Sequence, residues 1–247
     1  MPIFDDNSLS TFDISGTPYG FSATRIADLG ASEYTLVVIA ADTSGSVARY
    51  ANDIEQCIKS IVMSCRKAPR VDNLMLRFVT FDTKLHESHG FRPLGECQPG
   101  TYDNTIQPGG CTALFDAAIN AIESAQRYGK TLIDSGFDVN LITFVITDGQ
   151  DNSSTATAQG VGDTMLAALT SETVESMLSV LIGVGVGSND FSAYLDSFQK
   201  VAGFDQYVEL SGADEATLAR LADFVGQSIV AQSRALGTGG ASMPLSF

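Results

Sequence analysis

The chain is 247 residues long, 44% hydrophobic and 17% charged, which excludes a disordered protein and supplies enough apolar side chain for a substantial core. Its net charge is −15, from 29 acidic against 14 basic residues, and residues 131–199 contain no Lys or Arg at all. Such a surface repels phosphate backbones and anionic lipid, so nucleic acid and membranes are excluded as partners, and a cation or a basic protein surface is expected.

Residues 1–33 show no sustained period and read as a partly ordered N-terminal extension, with a short strand or two lying against the domain. Residues 34–41 form a run of β-branched and apolar side chains, the signature of a central parallel strand buried on both faces. A helix is expected over 48–67, where Ile54, Ile58, Ile61, Val62 and Cys65 recur at helical spacing and Pro69 prevents continuation. Residues 73–81 are the second strand, and 83–94, shorter and more polar, read as an antiparallel edge strand. Residues 96–110 are a loop by their Gly and Pro content. The next helix opens after Cys111, with Thr112 as its N-cap, and reaches about 128. The third central strand, 139–147, ends in Asp148-Gly149. A polar segment follows, then a helix over 163–169 and a strand over 177–186. A helix over 191–201, a strand over 207–210 and a last helix over 214–235 complete the pattern. Residues 237–247 are a Gly/Ser-rich flexible tail. Strands alternating with helices imply an α/β fold, doubly wound, with a mostly parallel sheet covered on both faces.

No apolar run is long enough to span a membrane, and MPIFDDNSLS lacks the basic start and apolar core of a signal peptide. A cytoplasmic, reducing location is therefore expected, with Cys57 and Cys65 as buried free thiols on the apolar face of the first helix.

Three segments carry candidate chemistry. The first strand breaks off into Asp42-Thr43-Ser44-Gly45-Ser46, where a carboxylate and two hydroxyls alternate at a strand end, and hard oxygen donors there suit Mg²⁺. Thr112 follows two glycines, and Asp148 ends the third central strand. Taken singly, each has a plain reading as a helix cap or a turn. Asp151 reads as a water-mediated contact or a solvated acid, and Asp116 as a partner of the site or a first-turn charge. Together, Asp42-x-Ser44-x-Ser46, Thr112 and Asp148 resemble the von Willebrand factor A domain and its metal-ion-dependent adhesion site, over about residues 34–236. GGCTALFDA and VITDGQDN are similar to intracellular bacterial and phage-type members of that family. The resemblance implies a Rossmann-like fold and Mg²⁺, with Mn²⁺ or Ca²⁺ as substitutes, held by Asp42, Ser44, Ser46, Thr112 and Asp148. It further implies a non-enzymatic interaction domain whose metal takes an Asp or Glu carboxylate of a protein partner, an AAA+ ATPase among the candidates.

Two alternatives come from other residues. A metal-dependent hydrolase would need a placed histidine, and the sequence offers only His86 and His89. A zinc site could draw on His86, His89, Cys97 and Cys111, though their spacing is irregular and surface histidines with unrelated thiols are the plainer reading.

Overall fold

The computed structural model describes residues 9–14, 17–170, 176–186 and 191–235; the tail expected at 237–247 lies outside them. The elements are β1 (Leu9–Asp13), β2 (Gly20–Thr24), β3 (Glu33–Asp42), α1 (Ala51–Arg66), β4 (Leu74–Phe81) and β5 (Leu85–Pro93), then α2 (Leu114–Ile133), β6 (Asp138–Thr147), α3 (Ala158–Thr170), β7 (Ser176–Val184), α4 (Phe191–Ala202), β8 (Gln206–Leu210) and α5 (Glu215–Ala235). One eight-stranded sheet runs in the order β1-β2-β5-β4-β3-β6-β7-β8. The strands β4, β3, β6, β7 and β8 are mutually parallel, and β5 is antiparallel to β4.

The unbroken apolar run of β3 is explained by layers on both faces. Leu36, Val38 and Ala40 join the core beneath α2, α3 and α4, while Val37, Ile39 and Ala41 join the core beneath α1 and α5. The chain leaves β3 toward β4 on one side, and β6 later pairs on the other. The carboxyl ends of β3 and β6 therefore flank the point where strand order reverses, the usual place for a ligand in an open α/β sheet.

The expected edge position of β5 is corrected. It is antiparallel as anticipated, but β2 runs beside it, and β1 pairs antiparallel with β2. Gly90 allows this, because a Cβ there would collide with the Ser22 carbonyl. A buried charge network then pins the hairpin. Arg77 on β4, 1% exposed, donates from Nε to Glu87 Oε2 (2.7 Å) and from Nη1 to Asn120 Oδ1 (2.9 Å) and Ser124 Oγ (3.0 Å). Glu87 Oε1 in turn accepts from the Ser22 N–H (2.9 Å) and O–H (2.6 Å). A guanidinium taken out of water requires partners of this kind.

Two helix bounds also differ from expectation. The second helix continues to Ile133 because Tyr128 and Leu132 extend its buried stripe, and it ends where Gly136 turns at φ 93°. The third begins at Ala158, with Thr157 Oγ1 accepting the Gly160 N–H at 3.1 Å. No helix among the described residues is long and apolar enough to cross a membrane.

Candidate metal centre

Asp42 is the last residue of β3 and is 0% exposed. Its Oδ1 accepts the Ser44 N–H at 2.7 Å, and its Oδ2 accepts the Thr147 hydroxyl at 2.6 Å. Both donors are neutral. Burial pushes its pKa up to about 6, with the Thr147 and Ser44 hydrogen bonds pulling the other way and the Asp148 charge adding to the rise. Asp148, 7% exposed, is likewise raised by burial, opposed by its bond from Ser46 and by the charge of Arg49. Among the described residues no Lys or Arg forms an ion pair with either carboxylate.

The two serines link these carboxylates. Ser46 Oγ donates to Asp148 Oδ1 at 2.8 Å, and Ser44 Oγ lies 3.0 Å from Ser46 Oγ. Since the single Ser46 proton is committed to Asp148, Ser44 is the donor to Ser46. Ser44 is buried and Ser46 exposed.

Thr112 is brought to the same place by backbone contacts between loops. The Gly45 N–H donates to Gly110 O (3.1 Å) and the Gly109 N–H to Thr43 O (2.8 Å), lacing the loop before Thr112 onto the one after β3. Gly110 holds φ 71°, and a Cβ there would crowd Thr83 and Asp82. On its other side the Thr112 N–H donates to Asn152 Oδ1 at 2.7 Å, while Thr112 O accepts the Asn152 N–H at 3.0 Å. The five residues expected from sequence thus lie on three loops that hydrogen-bond to one another.

The expectation that Thr112 caps α2 is corrected. The helix starts at Leu114, and Ala113 occupies the cap position without a side-chain bond. The free N–H groups of Phe115 and Asp116 go instead to Ser154 Oγ at 3.0 and 3.1 Å, with Asp151 Oδ1 3.3 Å from the Phe115 nitrogen. Asp151 is therefore not a freely solvated acid: through Oδ1 it helps to cap the helix from a different loop. Asp116 reciprocates, accepting the N–H groups of Thr155 (3.0 Å) and Ala156 (2.9 Å). Sequence reading missed Thr147, Asn152 and Ser154. Of these, Thr147 carried a signal, a hydroxyl immediately before Asp148 on a buried strand.

The zinc alternative is not assembled. His86 is exposed beside Asp82, Cys111 is exposed, and among the described residues no three His, Cys, Asp or Glu side chains gather around a common point. His89 is not a surface residue: it is 7% exposed, with Nδ1 3.0 Å from Gly90 O and Nε2 3.0 Å from the Tyr102 hydroxyl. Cys97 is a buried free thiol whose pKa burial pushes up to about 11, and Cys57 and Cys65 are free and buried as expected.

An eight-stranded, mostly parallel sheet with helices on both faces and its candidate site at the carboxyl ends of β3 and β6 is a von Willebrand factor A-type α/β fold. Solved structures share it at low identity. The PilB minor pilin from Streptococcus sanguinis matches with a TM-score of 0.58 and 15% identity, over 88% of this chain and 66% of that one. Proximal thread matrix protein 1 from the mussel byssus, with a zinc-occupied metal-ion-dependent adhesion site, matches with a TM-score of 0.55 and 18% identity, over 79% and 46%. The pilus adhesin SpaC from Lactobacillus rhamnosus GG matches with a TM-score of 0.55 and 12% identity, over 91% and 35%. This chain thus spans between about a third and two thirds of the solved chains it matches. No protein-family model matches the sequence, and no curated protein matches it.

Proposed function

We propose that the chain is a non-enzymatic, cation-dependent protein-binding module. Asp42, Ser44, Ser46, Thr112 and Asp148 hold Mg²⁺, with Mn²⁺ or Ca²⁺ as substitutes, and an Asp or Glu side chain of a partner completes the coordination. The observation that carries this reading is the Asp42 carboxylate: fully buried, bonded by neutral donors alone, and linked through two serines to a second buried carboxylate. Two buried carboxylates, neither in an ion pair with a Lys or Arg among the described residues, are costly, and a divalent ion would relieve both together. The donor set is all oxygen, which favours a hard cation over zinc.

With three hydroxyls among five donors, the bound metal keeps enough positive charge to supply a Lewis-acid contact to an anion. The chain's own residues hold and orient: Thr147 and the Ser44 N–H fix Asp42, and Asn152 fixes the Thr112 backbone. On the resemblance, the partner is an intracellular protein such as an AAA+ ATPase. The solved neighbours favour a second reading, since two of them are a minor pilin and a pilus adhesin: the same module working in a cell-surface assembly. Calorimetric titration of Mg²⁺ into the protein and its Asp42→Ala and Asp148→Ala variants tests the site. Strong weakening in both is expected, and unchanged affinity in both would refute it. Pull-down from cytosolic and cell-surface fractions, in Mg²⁺ and in EDTA, separates the two partner readings.

A further inference from the structure

The turn that carries Ser46 also carries an arginine. Gly45–Arg49 is a single stretch of 3₁₀ helix, and both Ser46 and Arg49 on it are exposed. Side chains three residues apart on such a helix stand one above the other, about 6 Å apart along its axis. Arg49 therefore rises from the same side of the turn as the Ser46 hydroxyl. Its guanidinium is within electrostatic reach of the site, since its charge pulls the Asp148 carboxyl down against the effect of burial. It also lies beside a fixed platform, with Cζ 5.9 Å from the centre of the Tyr50 ring. Tyr50 is held at the end of β7: its hydroxyl donates to Gly185 O at 3.2 Å, and its ring fills the space a Cβ on Gly185 would need. Among the described residues the Arg49 guanidinium makes no ion pair and no hydrogen bond. In a chain with 29 acids against 14 bases, an exposed arginine that pairs with none of them is available to an incoming anion.

The spacing on that turn sets what the anion should look like. Two carboxylates on alternate residues of an extended segment lie on one face, about 6.6 Å apart, which matches the separation of Ser46 and Arg49 along the turn. A guanidinium offers a planar fork that a carboxylate can meet with both oxygens, and it has no lone pair with which to bind a cation. Residues 131–199, which supply Asp148 and the loop after it, contain no base, so a partner acid finds repulsion on that side and attraction on the Arg49 side. We infer that the site recognises an acid-x-acid pair in an extended segment of its partner, one carboxylate completing the metal and the other held by Arg49 beside Tyr50. This rests on the metal-dependent binding proposed above and adds to it a sequence preference. Arg49 is the specificity-determining contact, and it takes no part in holding the ion.

The test uses the full chain in Mg²⁺ and four capped peptides that are identical except for a central Asp-Gly-Asp, Asp-Gly-Asn, Asn-Gly-Asp or Asp-Gly-Lys, with binding followed by NMR titration. The two-acid peptide should bind about fivefold more tightly than either single-acid peptide at low salt, as one exposed ion pair of good geometry would give, and EDTA should abolish binding of all four. The advantage should shrink in high salt. In Arg49→Gln it should fall to the roughly twofold that two equivalent acids have by chance, and Arg49→Lys, which keeps the charge without the fork, should lie between. Arg49→Glu should reverse the order, so that the Asp-Gly-Lys peptide binds best. Because Arg49 is exposed, its replacement should leave the melting temperature unchanged, and calorimetry should show Mg²⁺ bound by Arg49→Gln at least as tightly as by the native protein. Mg²⁺ binding accompanied by no peptide binding, by no preference for two acids, or by a preference that survives Arg49→Gln would overturn the inference and leave the metal site standing. Absence of Mg²⁺ binding in the calorimetry would overturn both.

Discussion

His89 makes the stability of this protein fall on acidification, and by a calculable amount. Gly90 O can only accept, so Nδ1 carries the proton and Nε2 accepts from the Tyr102 hydroxyl. Burial drives the pKa down from 6.5 to about 4, with the Gly90 bond opposing and the charges of Arg92 and Arg77 reinforcing. A histidine depressed in the folded state leaves the unfolded chain binding more protons between those values. Its contribution is therefore fully present above the unfolded value and is lost as the pH falls toward 4. Between pH 7.5 and pH 5 the loss comes to about 2 kcal/mol, and for a chain of this size that is about 4–8 °C in melting temperature. His89→Gln supplies a neutral donor and acceptor at the same place, and comparing it with the native protein cancels every other titrating group. Urea unfolding of both at the two pH values is the assay. The native protein should lose about 2 kcal/mol relative to the variant on acidification. Parallel pH dependences would show that His89 is not the buried neutral imidazole described, and the reasoning would fail.

Three further outcomes are expected. Thr147→Val removes the 2.6 Å donor to Asp42 Oδ2 at nearly constant shape and should weaken Mg²⁺ binding about tenfold, measured by calorimetry; unchanged affinity would mean that Thr147 does not orient the carboxylate. Gly90→Ala should separate β2 from β5 at a cost of about 1–3 kcal/mol and expose β2 to limited proteolysis, with native-like resistance counting against the packing described. Asp42, raised to about 6 in the metal-free protein, binds more protons folded than unfolded between its ordinary value and 6, so its contribution to stability is lost as pH rises through 6. Protons and metal compete for that carboxylate, so the melting-temperature rise caused by Mg²⁺ over EDTA should be larger at pH 7.5 than at pH 5; equal shifts would contradict a metal held by Asp42.

What could be read from the chain beforehand was whatever repeats locally. The runs that became β3, β4, β6 and β7 are apolar on both faces, so their strand character survives any partner, and the stripes of α1 and α5 announce one buried face each. Among the five candidate ligands, Asp42 and Asp148 were legible from the strands they end or follow, whereas Ser44, Ser46 and Thr112 were picked out by the family resemblance. What was not legible depends on contacts distant in sequence. Whether β5 lies at an edge is decided by Gly90 and by an Arg77–Glu87–Ser22 relay that spans three strands. The cap of α2 comes from residues about forty positions downstream, and no local rule for a helix start could have passed over Thr112 in favour of Ser154. His89 looked like a surface residue because its strand neighbours are polar, yet Tyr102 from the following loop covers it.

That exchange of caps bears directly on the candidate metal site. Had Thr112 capped α2, its hydroxyl would have been spent on a helix N–H. With Ser154 and Asp151 taking those groups, the Thr112 side chain is relieved of that task while its backbone is clamped on both sides by Asn152. The reciprocal bonds from Thr155 and Ala156 to Asp116 lock the donating loop in return. Loops held this firmly by one another need little further ordering when an ion arrives, and ordering avoided appears as affinity. Asp42, Ser44, Thr112 and Asp148 are all buried, and Ser46 alone among the five is exposed. The open side of the site is therefore the Ser46 side, and under the proposed function a partner's carboxylate would approach across that residue and the turn that carries it.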